Sequence, residues 1–306
     1  MKVRSLFFLI IIIFGCYLGW LFFQTALESS SVVSVVVGEK LDGQISTEQR
    51  KPLNMGFIPQ GNAFLMVKRW QPLADYLSIE LNQPVDIILR SSYREIIDAL
   101  AKGELDICLT GAFVYVLTKK EADITPVARR KKFGTPYYHS LIVVRKDRNI
   151  HSLQDLKGKT FAFIDKNSTS GYLLPTMMMR KVGISDPNHF FSEVIFTQNH
   201  DSGVLAVQKK QIDGAAISST RWLPNDSLVK DLKIIWKSKP ILLGPFSVRS
   251  HLDEALIKKI TGAFLKIGSS PETQHLAQLI NVKAFERAFD KDYDYIREIS
   301  NGFTKN

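Results

Sequence analysis

Two stretches of this chain repeat one spacing. "MGFIPQ" at 55–60 and "FAFIDK" at 161–166 share a strand-like pattern that sets Phe57 opposite Phe163. Tyr93 follows Phe57 by 36 positions and His200 follows Phe163 by 37, while Asp106 and Asp213 each come 13 positions after those two. Each half therefore offers a strand, a loop, a helix, a second strand, a helix opened by a polar aromatic residue, and a third strand opened by Asp. Chance explains one matching interval more readily than two, so the spacing predicts two lobes built on one plan.

Short apolar strands alternate with helical patterns throughout. "LNMGFI", "VDIIL" and "LDICLTG" are separated by "AFLMVKRWQPLADYLSIEL" and "YREIIDALAKG", and the alternation resumes with "TFAFID", "FSEVIFT", "SGVLAVQKK" and "IDGAAIS". This predicts an α/β fold of two lobes, each a largely parallel sheet flanked by helices. Two lobes enclose a cleft. Ligands of open parallel sheets bind beyond the carboxyl ends of the strands, where helices begin. Tyr93, Ser168 to Gly171 and His200 all fall at such turns, around one opening.

The hydroxyl-rich turn "KNSTSGYLLP" carries the most chemistry. Helix starts leave N–H groups without acceptors and add partial positive charge. Ser168, Thr169 and Ser170 supply rotatable O–H donors, and Gly171 is expected to let the backbone approach a ligand. The set suits a tetrahedral oxyanion; capping of the helix alone is the plainer reading. His200 is either an exposed loop residue, with Asp201 as the helix cap, or a hydrogen-bond donor that gains charge with an anion. Tyr93 is either packing or a phenolic donor. Turn or capping roles are expected for Asp106 and Asp213, and core packing for Met177 to Met179.

The bulk numbers exclude more than they identify. The chain has 306 residues, 45% apolar and 23% charged, enough for two ordinary domains. Its formal charge of +10, with one dense run "ARRKK" at 128–132, favours anions generally. No zinc-finger spacing or RNP-like aromatic run supports nucleic-acid binding. Cys16 and Cys108 lie in segments that do not pair, so no disulfide, zinc or thiol chemistry is expected. There is no P-loop, nucleophile elbow, H-E-x-x-H or Rossmann glycine motif. Pairing Ser168 as nucleophile with His200 as base is disfavoured, because capping hydroxyls donate to anions. No enzyme activity, metal or cofactor is expected.

The first residues read as an address. "MKVR" is basic, and Phe7 to Phe23 is an uncharged apolar run of 17 residues, at the border between a signal-peptide core and a spanning helix. The reading preferred is an uncleaved anchor that leaves the bulk of the chain exported; lipidation at Cys16 of "IFGC", or cleavage to a soluble form, are the alternatives. A Ser/Val-rich, then polar, tether follows to residue 52.

From Leu53 to about Ile260 the chain resembles the phosphate-, phosphite- and phosphonate-binding proteins that deliver solutes to ABC importers. The resemblance is carried by "NMGFIPQGNAFLMVKRWQPLADYLS", "YREIIDALAKGELDI", "PYYHSLIVVRKD", "LQDLKGKTFAFIDKNSTSGYLLP" and "NHDSGVLAVQKKQIDGAA". It implies a periplasmic-binding-protein-like type II fold joined by two crossovers, near Leu141 to Arg145 and near Lys239 to Leu243. The implied layout is 1–24 signal or anchor, 25–52 tether, 53–141 first lobe, 142–239 second lobe, and 240–306 return to the first lobe. The implied ligand is a small phosphorus oxyanion held by Tyr93, Tyr138, Ser168, Thr169, Ser170 and His200. The implied partners are an ABC permease and its ATPase, on the periplasmic side of the inner membrane. A membrane-anchored sensor of the same fold is the alternative.

Two departures qualify the resemblance. The family's G-P-x-S-Y loop is replaced by "GAFVY" at 111–115, which leads to the expectation of a more apolar first-lobe wall. The stretches "AAISSTRW" and "ILLGPFSV", where relatives that hold an aminoalkyl phosphonate place acids, contain none. An aminoalkyl phosphonate is therefore not the expected ligand.

Overall fold

The computed structural model describes residues 50–223 and 226–304. The expected anchor at 7–23, Cys16 and nearly all of the tether lie outside these residues. Among the described residues no helix is long and apolar enough to cross a membrane.

The first sheet begins with β1 (Leu53–Phe57), β2 (Val85–Leu89) and β3 (Ile107–Leu109). Between them run α1 (Ala63–Leu81) and α2 (Tyr93–Ala101). β1 is the centre of this group and pairs in parallel with both β2 and β3. After α3 (Ala112–Glu121), β4 (Ile124–Lys131) joins the same sheet. Trp70, Leu73, Ala74, Leu77 and Leu81 of α1 recur at helical spacing and are buried against β1, where Trp70 stacks on Phe57 at 4.9 Å.

The chain then passes β5 (Tyr137–Tyr138) into β6 (Ser140–Arg145) and β7 (Thr160–Phe163) of a second sheet. That sheet is completed by β8 (Glu193–Phe196), β9 (Gly214–Ser218) and β10 (Leu232–Lys237). Its helices are α4 (Leu174–Lys181), the short α5 (Pro187–Phe190) and α6 (His200–Gln208). The chain returns through β11 (Ile241–Leu242) to β12 (Pro245–Arg249). It closes with α7 (Glu254–Lys266), α8 (Gln274–Leu279), β13 (Ala284–Arg287) and α9 (Asp294–Thr304).

The repeated spacing corresponds to repeated topology. β7 is parallel to β8 and β9 as β1 is to β2 and β3. Both sheets are mixed, because each parallel group is extended by antiparallel strands: β12 then β4 beside β3, and β6 then β10 beside β9. Only β13, on the outer edge of β4, has no counterpart. The two matching aspartates do matching work. Asp106 accepts from the backbone N–H of Asn54 at 2.8 Å, and Asp213 from those of Thr160, backbone N–H at 3.1 Å and hydroxyl at 3.0 Å. Each carboxylate thus ties the third strand of its lobe to the start of the central one. Turn or capping roles were expected of them; both instead join strands, and Asp106 also pairs with Arg249.

The first crossover lies a few residues before the expected Leu141 to Arg145. That stretch is β6, an inner strand paired on both sides, with Leu141 to Val144 essentially inaccessible. The link is the two-stranded ribbon in which Ile241 opposes Tyr138 and Leu242 opposes Tyr137. A run of four apolar residues needs cover on both faces, which an interlobe linker does not offer. The return crossover falls inside the expected Lys239 to Leu243.

Replacing Asp213 by Ala strands the two Thr160 donors at the start of β7. The expected loss is about 1–2 kcal/mol of stability, read from the urea unfolding midpoint.

Candidate functional site

The turn after β7 is the keystone of the cavity between the sheets. Ser168 Oγ accepts from Gly171 N–H at 3.0 Å, and Leu173 N–H donates to the Ser168 carbonyl five residues back at 3.0 Å. The expected helix start is therefore a single wide π-helical turn, Thr169–Leu173, ahead of α4. Ser168 caps the turn, as the plainer reading has it, and it also lines the cavity. Gly171 has a different task from the one expected. A Cβ there would lie 2.3 Å from Ile164 Cγ1 and 2.5 Å from its Cβ, so the missing side chain lets the turn fold onto β7 rather than admit a ligand. The Gly171 carbonyl also accepts from Ile164 N–H at 3.1 Å.

All six residues expected at the site line one cavity of about 110 Å³. A single water needs about 10–15 Å³ on the same measure, so the space suits a small polyatomic solute. Tyr93 opens α2 behind its cap Ser92, and His200 opens α6 behind its cap Asn199. Asn199, not Asp201, is thus the cap of α6. Burial raises the Tyr93 phenol well above its ordinary range, aided by nearby Asp165, and Ser168 lies beside it. Burial pushes Tyr138 up to about 12, next to Thr169 and Ser170. Both phenols keep their protons and stay donors.

His200 is buried rather than exposed, and burial with nearby Arg221 pushes it down to about 3. Its Nδ1 accepts from Ser218 N–H at 3.1 Å, which leaves Nε2–H as the donor of a neutral ring. Thr169 Oγ1 accepts from Phe113 N–H at 2.8 Å, which caps α3 from the opposite sheet where Gly111 has no side chain to do so. A hydroxyl that accepts a backbone N–H has its own proton free to donate elsewhere. Ser140 Oγ donates to the Ser170 carbonyl at 2.6 Å and fixes that residue's backbone.

The first-lobe wall mixes cations with apolar side chains, where a more apolar wall was expected: Ile58, Leu65, Met66 and Leu243 line it as well. Ala112 and Val114 are fully buried in the core and do not reach the cavity. Arg69, Arg130 and Lys132 do, with Arg221 opposite. β4 alternates: Arg129 turns away to Glu286 and Asp292, at 3.1 and 3.0 Å, while Arg130 points inward. The "ARRKK" run thus divides between an ion-paired face and the cavity wall. Lys132 Nζ donates to the Thr220 carbonyl at 3.0 Å, across the cleft. Sequence reasoning missed all four cations; period-2 alternation within "ARRKK" is the signal that marks two of them.

The mixed sheets, the ribbon and the cleft define the two-lobed class of extracytoplasmic solute-binding proteins. The chain belongs to the family of periplasmic substrate-binding proteins of phosphonate ABC transporters, whose model matches residues 55–293. It is a binding protein, not an enzyme. The phosphonates-binding periplasmic protein of Escherichia coli (strain K12) is 29% identical over 266 residues, 83% of this chain and 77% of that one. The phosphate-import protein PhnD of Mycolicibacterium smegmatis is 28% identical over 249 residues, 76% and 74% of the two chains. Among solved structures, the binding component of an ABC phosphonate transporter from Pseudomonas aeruginosa (PA3383) superposes with a TM-score of 0.76 at 27% identity, covering 81% of this chain and 85% of that one. PhnD1 of Prochlorococcus marinus in complex with methylphosphonate shares the fold, with a TM-score of 0.76 at 23% identity over 84% and 99% of the two chains.

Two outcomes follow from this geometry. Alanine at Gly171 forces the turn off Ile164; about 1–3 kcal/mol of stability is expected to be lost, measured by chemical denaturation. Burial, with Arg130, Arg69 and Arg221 near, lowers Lys132 to about 7 from 10.5, partly offset by Asp201. Below pH about 7 Lys132 is charged in both states and the folded form bears the full penalty. Between about 7 and 10.5 the unfolded chain holds a proton that the folded chain has released, so stability of the unliganded protein rises with pH. Lys132→Met is expected to abolish that rise in urea unfolding measured across the window.

Proposed function

We propose that this chain captures a small phosphorus oxyanion (phosphate, phosphite or a simple phosphonate) in the interlobe cavity and presents it to an ABC permease and its ATPase. One observation carries the reading: neutral donors from both sheets converge on one cavity. Ser168, Thr169 and Ser170 come from the turn after β7, His200 from α6, Tyr93 from α2, and Tyr138 from the ribbon. The unfilled N–H groups and dipole of the first turn favour the anion. Hydroxyls that already accept a backbone N–H donate outward, and exclusion of water strengthens each such bond.

On this reading the lobes close about the ribbon, with the segments carrying β1 to β4 and β12 to α9 as one body and β6 to β10 as the other. The Thr169–Phe113 bond is then a latch of the closed form. Residues 7–23 are assigned as the tie to the inner membrane. Asp201 is the sole carboxylate lining the cavity among the described residues, and Arg221 already pairs with it, which supports selection against an aminoalkyl phosphonate.

Thermal unfolding of the full chain tests the assignment. Phosphate, phosphite or methylphosphonate is expected to raise Tm in a concentration-dependent way. Ser170→Ala is expected to weaken binding roughly tenfold to a hundredfold, the contribution of one hydrogen bond to a charged group. If all three anions leave Tm unchanged, the ligand class is wrong.

A further inference from the structure

We propose that the preferred ligand carries a second acidic group, a carboxylate or a second phosphoryl, beside its phosphorus oxyanion, and that Arg69, Arg130 and Lys132 receive it. This rests on the oxyanion reading above and extends it to the substituent on phosphorus.

The cavity is lined by two sets of groups of different chemistry. The turn after β7, Tyr93, Tyr138 and His200 present neutral donors, with Tyr138 near Arg130 and His200 near Arg221. The second set is Arg69, Arg130, Lys132 and Arg221, near enough to influence one another's charge. Asp201 pairs directly with Arg221, and its charge also reaches Arg69 and Lys132. Among the described residues no carboxylate forms an ion pair with Arg69, Arg130 or Lys132. Arg130 Nε is buried and has no hydrogen-bond partner, and its guanidinium lies 5.7 Å over the Trp70 ring.

A phosphorus oxyanion seated on the neutral donors leaves those cations unmatched. Like charges gathered in a half-buried wall destabilise the fold, and burial with mutual repulsion lowers Arg130 to about 10. Such an arrangement persists where an anion supplies the missing charge. Guanidinium groups bind planar carboxylates and phosphoryl groups through paired N–H donors, so the wall selects a second acid rather than an alkyl or ammonium substituent. A plain methyl group would leave it desolvated and unpaired; an ammonium would be repelled.

Calorimetric titration of the full chain with methylphosphonate, phosphonoacetate, methylenediphosphonate and 2-aminoethylphosphonate tests this. Phosphonoacetate or methylenediphosphonate is expected to bind about tenfold tighter than methylphosphonate, and the tighter of the two names the second group. Arg69→Gln and Arg130→Gln are each expected to weaken the di-acids by about tenfold more than methylphosphonate and so to bring the ligands to near parity. Because Arg130 packs over Trp70, Arg69→Gln keeps the test open if the other variant fails to fold. Equal binding of mono- and di-acids, or tighter binding of 2-aminoethylphosphonate, overturns the inference and leaves the oxyanion reading standing. Failure of every phosphorus compound to bind removes both.

Discussion

The contact of Gly171 with Ile164 is the constraint on which the site depends. Ile164, just past β7, is fixed in an apolar cluster with Ile58, Tyr93, Ala112 and Leu173, and the turn must pass over it with no side chain between. The Gly171 carbonyl accepts from Ile164 N–H while the Gly171 N–H donates to Ser168 Oγ. The wide turn satisfies both bonds. It thereby sets three consecutive hydroxyl residues at the edge of the sheet, where a helix start would leave N–H groups without acceptors. Thr169 can then reach across to Phe113 N–H, so the same turn that shapes the cavity also connects its two walls.

Duplication explains why the opposite wall is available. In both sheets a central strand is flanked by parallel partners and extended by an antiparallel pair, so the helix starts of both lobes open toward one cleft. Ser92 before Tyr93 and Asn199 before His200 are equivalent caps. Each presents an aromatic donor at the first helical position, and the environment then sets its character. Burial keeps the phenol protonated and the imidazole neutral, so both serve as uncharged donors.

What the residues disclosed before the structure follows the same physics. Period and interval were legible: α1 spans the expected Ala63 to Leu81, and the Tyr93, His200, Asp106 and Asp213 correspondences are topological as well as numerical. The antiparallel strands were not, because an apolar run such as Leu141 to Val144 reads alike whichever way its neighbours point. That ambiguity is also why the crossover was expected a few residues late. The wide turn was illegible because its cause, the Ile164 contact, is tertiary. Arg69 and Arg221 are brought to the cavity by separate elements, and neither has a local signature.

Arg130 and Lys132 show how a strand tolerates charge that its own core cannot balance. On the outer face of β4, Arg129 is ion-paired with Glu286 and Asp292, and Lys131 with Glu286. β13 supplies Glu286 from the edge position that has no counterpart in the other lobe. The extra strand therefore neutralises one face of the "ARRKK" run and holds β4 rigid while the other face stays unmatched. Part of the excess of basic residues read from composition is in this way gathered at one wall of the cavity, and its balancing charge, as proposed above, arrives with the solute. On that reading, a wall that keeps an excess of positive charge raises the attraction of the cleft for an anionic solute, and the solute's charge in turn relieves the repulsion among Arg69, Arg130 and Lys132.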